Sequence, residues 1–152
     1  MSATFHKVGI EMKSFSQKVI KPASGRDKLG RILLDGKATA VRADELAEWL
    51  QLQPFAGLPK AENITGGDWE SKVKGRTGII AFSNYWTRDG EVNASGGHID
   101  LWNGSRLTIS SSEGLLSVIG RGIGIRSTHI PGTTYGYSDL SKATQILFWR
   151  IV

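Results

Sequence analysis

Apolar residues along the chain recur at two spacings, and the change from one to the other marks out the predicted elements. Phe5, Val8, Met12 and Phe15 follow a helical period and predict an N-terminal amphipathic helix over part of the core. Residues 22–30 are polar and glycine-bearing, after which Arg31-Ile32-Leu33-Leu34 reads as a short extended piece ended by Asp35-Gly36. Residues 40–50 are rich in helix formers, with Val41, Leu46, Trp49 and Leu50 as a buried stripe. Thr39 stands where a cap for that helix belongs, and Asp44 and Glu45 lie near the positive end of its dipole.

Residues 54–61 form a predicted loop, and a short helix from Asp68 through Val73 is ended by Lys74-Gly75. Thr77-Gly78-Ile79-Ile80-Ala81-Phe82 is apolar on both faces, as a central strand must be, and a polar loop spans residues 87–95. Further on, Ser110-Ser111-Ser112 can cap a short helix over Leu115, Leu116, Val118 and Ile119. Gly120, Gly122 and Gly124 lack the strand-to-helix setting of a phosphate loop and read as a flexible segment. Residues 138–141 predict a turn with one helical turn, and residues 144–152 a closing strand. Helices followed by several strands predict one α+β domain over residues 1–152 with a largely antiparallel sheet.

The stretch Gly96-Gly97-His98-Ile99-Asp100-Leu101-Trp102-Asn103-Gly104 carries the chemistry. As a strand it sends His98, Asp100 and Trp102 to one face and Ile99 and Leu101 to the other, so a base, a carboxylate and an aromatic wall share a surface. Asn103-Gly104 supplies the two positive-φ positions of a tight hairpin, so residues 105–109 should return alongside. Gly96 and Gly97 suit close approach by a substrate backbone, or equally a bulge. His98 can also be a hydrogen-bonded structural histidine, and the residues alone leave both readings open.

With 19 Lys and Arg against 14 Asp and Glu, the formal charge is +5, which suits an anionic partner such as a cell wall, nucleic acid or membrane surface, or equally serves solubility alone. The basic residues are scattered, with no aromatic-plus-basic motif, so nucleic-acid binding is not expected. No apolar run is long enough to enter a membrane, and the N-terminus lacks a secretory signal, so export would need a dedicated machine. The chain has no cysteine, which excludes disulfides, thiolate metal sites and a thiol nucleophile. No metal or cofactor is expected. A helix start facing a His-bearing strand is nevertheless the layout of thiol hydrolases, where the dipole lowers the pKa of the nucleophile and the imidazole moves the proton.

The pieces GKATAVR, GRTGIIAFSNYW, GGHIDLWNG, YSDLSKA and the terminal ILFWRIV, in that order, resemble the fourth family of type VI secretion amidase effectors. The resemblance implies a papain-like cell-wall cysteine amidase fold with a buried nucleophile-bearing helix. It also implies secretion from the bacterial cytoplasm into a rival's periplasm, where peptidoglycan peptide stems are cut between γ-D-glutamate and diaminopimelate. A cognate immunity protein is the implied second partner.

Carried over by residue, His98 matches the family's catalytic histidine and Asp100 the acid two residues on. The family's cysteine opens a Cys-Ala-hydrophobic-Arg pattern, and since Ala40-Val41-Arg42 matches its remainder, the cysteine position falls on Thr39. The family's third catalytic residue, an Asp on the returning strand, falls on Ile109, and a slip of one residue would bring Ser110 there instead. Arg42, Gly97, Trp102 and Ser110 are the expected substrate contacts. Engineered removal of the nucleophile would explain the missing thiol but not Ile109, so the two losses together point to natural divergence, and Asp100 can orient His98 in place of the absent acid. An internal Thr39 has no free amine to activate its hydroxyl, which is a far weaker nucleophile than a thiolate. Two functions follow: an amidase when position 39 carries cysteine, or a non-catalytic homologue that binds cell-wall peptide or a protein partner.

Overall fold

The computed structural model describes residues 1–86, 96–105, 107 and 140–151. In chain order they form helix α1 (Ser2–Lys7), strands β1 (Arg31–Leu34) and β2 (Lys37–Ala40), helix α2 (Ala43–Gln51) and strand β3 (Glu62–Asn63). Helix α3 (Trp69–Val73), strands β4 (Thr77–Trp86) and β5 (Gly96–Asn103), a 3-10 turn (Leu140–Lys142) and strand β6 (Gln145–Arg150) follow. The expected loop over 87–95, the helix after Ser110-Ser111-Ser112 and the glycine segment 120–124 lie outside the described residues.

The N-terminal helix is shorter than its apolar spacing predicts. Gly9 adopts a φ of 80°, a left-handed conformation open to glycine, and α1 stops at Lys7. Phe5, Met12 and Phe15 still enter the core, the latter two from irregular chain, whereas Val8 is 67% exposed.

A second departure moves the start of α2. Asp35 and Gly36 both have positive φ, 50° and 74°, the backbone of a two-residue turn whose twist suits a hairpin. Residues 37–40 therefore run back against β1, with Leu34 opposite Lys37 and Ile32 opposite Thr39. The helix begins only at Ala43, its N-cap is the extended Arg42, and no side chain caps it. Thr39 is thus a strand residue that caps nothing, and α2 does not bear it. Of the expected stripe, Leu46, Trp49 and Leu50 are buried, while Val41 lies outside the helix and faces solvent.

The main sheet has the order β3-β6-β4-β5, with every pairing antiparallel. Strand alternation splits its side chains between two cores. Ile79, Ala81, Leu147 and Trp149 pack with Leu46, Trp49 and Leu50 of α2, joined by Phe5, Phe15 and Ala38. Ile80, Phe82, Ile146 and Phe148 pack on the other face with Trp69 and Val73 of α3 and with Leu140. Each such large side chain removed from water contributes roughly 1.5–3 kcal/mol before entropy is counted. No helix among the described residues is long and apolar enough to cross a membrane.

Candidate functional site

Strand β5 is registered on β4 with Phe82 opposite His98, Ile80 opposite Asp100 and Gly78 opposite Trp102. Its alternation is the expected one: Ile99 and Leu101 pack against the α2-side core, whereas Trp102 belongs to the α3-side core. His98 and Asp100 share the parity of Trp102 and so project from the α3 face. His98 Nε2 and Asp100 Oδ2 are 3.7 Å apart, too far for a hydrogen bond. The imidazole is 39% exposed, while the Asp100 side chain is 14% exposed and accepts the Leu101 N–H at 2.8 Å through Oδ1.

A cleft of about 740 Å³ opens where the first turn of α2 meets the leading end of β5, and Ala43, Asp44, Gly97 and His98 all border it. Ser83, Asn84, Thr144 and Gln145 close its sheet end. Asn84 has a φ of 51° at an irregularity in the β4–β5 register and donates through Nδ2 to Thr144 Oγ1 at 3.2 Å. Asp44 faces Gly97 so closely that a Cβ built on the glycine would overlap the carboxylate. Neither Asp44 nor Asn84 was expected at a site; Asp44 reads in sequence only as a favourable charge in the first helical turn.

Ala40 and Val41 line the cleft, but Thr39 does not. Only 6% exposed, Thr39 donates its hydroxyl to the Lys37 carbonyl at 3.0 Å and stands 3.0 Å from His6 Nε2. Its hairpin packs with the α2-side core through Ala38. The Thr39 hydroxyl is thus engaged by Lys37 and His6, whereas His98 borders the cleft.

Two expected substrate contacts are committed elsewhere. The Arg42 guanidinium, through Nη1, donates to Glu45 Oε1 at 2.7 Å and to the Lys28 carbonyl at 2.8 Å. Glu45 is almost wholly buried, and its carboxylate also accepts the N–H groups of Ala23 and Gly30 at 2.9 and 2.6 Å. Arg42 thus helps tie residues 23–30 to α2, although it also borders the cleft. Trp102 is no open aromatic wall: it is 6% exposed, donates its indole N–H to the Val73 carbonyl at 2.9 Å and meets Trp69 edge-on. After it the chain reverses more widely than a two-residue hairpin, since Trp102 bridges to Leu107 and Gly104 alone of the Asn103-Gly104 pair has positive φ. Ile109 and Ser110 lie outside the described residues.

Fold and site together define a mixed α/β protein whose antiparallel sheet is overlaid by helices on both faces and opens into a cleft beside a histidine. The chain belongs to the type VI secretion system (T6SS) amidase effector protein 4 family, Tae4, whose sequence profile matches residues 1–149. That family consists of amidase effectors of type VI secretion, so the chain falls among secreted antibacterial toxins. A solved structure of the effector Tae4 from Salmonella typhimurium, in complex with the immunity Tai4 from Enterobacter cloacae, is similar at 16% identity. The alignment covers 100% of this chain and 71% of that one, with a TM-score of 0.49. Comparison with curated proteins gave no match.

Proposed function

We propose that this effector binds the peptide stems of peptidoglycan in the cleft between the start of α2 and β5, and that the chain as written does not cut them. The bond its relatives would cleave, between γ-D-glutamate and diaminopimelate, is the segment expected to lie in the cleft. Family membership supports the cell-wall substrate, and the net charge of +5 suits a wall rich in carboxylates. A cleft of about 740 Å³ is within the range that holds a small peptide. In this reading His98, Gly97 and Arg42 contact the stem, Asp100 orients His98, and positions Thr39 and Ile109 mark where a papain-like amidase would hold its thiol and third acid. Ser110 and Trp102 complete the assignment, Trp102 by supporting the strand from beneath.

The observation that carries the loss of catalysis is the state of Thr39. No cysteine occurs anywhere in the chain, and the residue at the nucleophile position holds its hydroxyl in two hydrogen bonds outside the cleft. The place of action is the periplasm of the target cell, reached through the secretion machine, with a cognate immunity protein guarding the producer. Calorimetric titration with soluble muropeptides, run beside chromatography of digested sacculi, tests both halves. Heat of binding without new products is expected; no heat at millimolar ligand, or release of stem fragments, overturns the reading.

A further inference from the structure

We propose that β1 is the seam of a weak homodimer, in which Leu33 pairs across a two-fold axis with Leu33 of a second copy and Arg31 meets Asp35 of that copy. Strand β1 belongs to a two-stranded sheet with β2 alone beside it, so its outer side is a sheet edge. Ile32, Leu33 and Leu34 are 49%, 63% and 42% exposed, three consecutive large apolar side chains where protected edges carry lysine, proline or a bulge. The Asp35-Gly36 tip stands clear of the body, since a Cβ built on Gly36 meets nothing within 4 Å.

Ladder geometry fixes which residue the edge offers. The two-residue turn makes Leu34 and Lys37 a hydrogen-bonded pair, so the next pair, Leu33 and Ala38, turns its N–H and C=O groups outward. Arg31 and Ala40 face outward in the same way, but the Arg31 N–H is spent on the Leu29 carbonyl and the Ala40 carbonyl accepts from Ser2. Within β1, Leu33 therefore offers an outward N–H and C=O that both lack a partner among the described residues. An antiparallel pair centred on Leu33 exchanges these two groups between copies, sets Ile32 against Leu34 of the other copy, and brings Arg31 against Asp35 once at each end. Both charged side chains belong to exposed residues, and neither has an ion-pair partner among the described residues. A parallel arrangement would set like charges side by side, and a shift of two residues would leave Arg31 facing Leu33. The charge pattern thus selects a second copy in this one register. So short a seam belongs with small, transient interfaces and gives a dimer that depends on concentration. The pair carries two clefts and would hold a repeating wall polymer at two points; that consequence rests on the proposed stem binding, whereas the pairing does not.

Sedimentation velocity of the unmodified chain, from micromolar to millimolar concentration, should show the mass rising toward twice that of the monomer. Leu33→Lys, at an exposed position, should keep the fold and stay monomeric over the same range. Arg31→Glu and Asp35→Lys should each be monomeric alone, because like charges then face one another, and should pair when mixed, because each reversed charge finds its complement in the other chain. A chain monomeric throughout, a dimer that survives Leu33→Lys, or folded charge variants that fail to pair when mixed overturns the proposal. Retention on sacculi that is lost in Leu33→Lys, with no dimer at any concentration, would assign the edge to the wall and likewise overturn it. Should Asp35→Lys disrupt the turn, where position 35 has a φ of 50°, hydrogen exchange of the Leu33 amide in the unmodified chain decides instead. Protection that grows with concentration supports the pair, and protection independent of concentration refutes it. Muropeptide calorimetry on the Leu33→Lys variant reads the cleft separately, so failure of stem binding is distinguishable from failure of the pairing.

Discussion

Gly97 presents a bare α-carbon to the carboxylate of Asp44, so the first turn of α2 and the leading end of β5 meet without a side chain between them. The cleft has its shape because of that contact. Gly97→Ala should force the helix off the strand and cost roughly 1–3 kcal/mol, as overpacking of a closed contact does. Urea denaturation checks this, and a cycle with Asp44→Ala should recover much of the loss because the two residues share one contact.

Glu45 supports the same helix from its buried side. Replacing it with Ala removes the acceptor shared by Ala23, Gly30 and Arg42, and replacing Arg42 with Met leaves the carboxylate buried without its cation. Each change should destabilise by about 3–5 kcal/mol, the range for breaking a buried ion pair from one side. Thermal melts of the two variants should fall together, whereas at temperatures where both remain folded muropeptide affinity should fall with Arg42→Met and survive Glu45→Ala.

Trp102 separates a structural role from a substrate-contacting one. Trp102→Phe keeps most of the ring volume but deprives the Val73 carbonyl of its donor, for an expected loss of about 1–3 kcal/mol. Calorimetry with muropeptide should show unchanged affinity in this variant, whereas a tenfold drop would place the ring in the cleft.

His98→Ala should behave in the opposite sense. The imidazole is 39% exposed, and His98 borders the cleft. Stability should move little while muropeptide affinity falls about tenfold, or roughly 1.4 kcal/mol.

On α3 the Lys72 ammonium lies 3.0 Å from Asp68 Oδ1, and its hydrogen bond holds the Asp68 carboxyl below the usual aspartate range. A carboxyl depressed in the folded state contributes stability above its unfolded pKa and loses that contribution as pH falls through the folded one. The pair is exposed, so the effect on global unfolding is small. In a carbon-detected NMR titration, Lys72→Met should bring the Asp68 midpoint back up to the ordinary value.

Much of the sheet was legible from period alone. Strands β1, β5 and β6 fall on the segments whose apolar residues predict them, and the opposite facing of Ile99 and Trp102 followed from alternation. Helix starts were harder. Asp35-Gly36 ends one strand in sequence, but its conformation also launches a second, and the four residues drawn into that strand displaced α2 to Ala43. Thr39 consequently changed from a cap to a ladder residue. At the N-terminus, apolar spacing passed through Gly9 as though the helix continued, because burial of Met12 and Phe15 from irregular chain keeps the same rhythm. The site was legible only in part, for a strand states which residues share a face but not which face a helix will cover. Covering of the Ile99 side by α2 is a long-range choice that strand alternation alone does not state.

Strand β4 gives Ile79 and Ala81 to one core and Ile80 and Phe82 to the other. Its loss would strip both halves of their common wall, so neither can melt while its neighbour stays intact. An effector built this way should feel any loosening of β4 on both faces of its sheet at once.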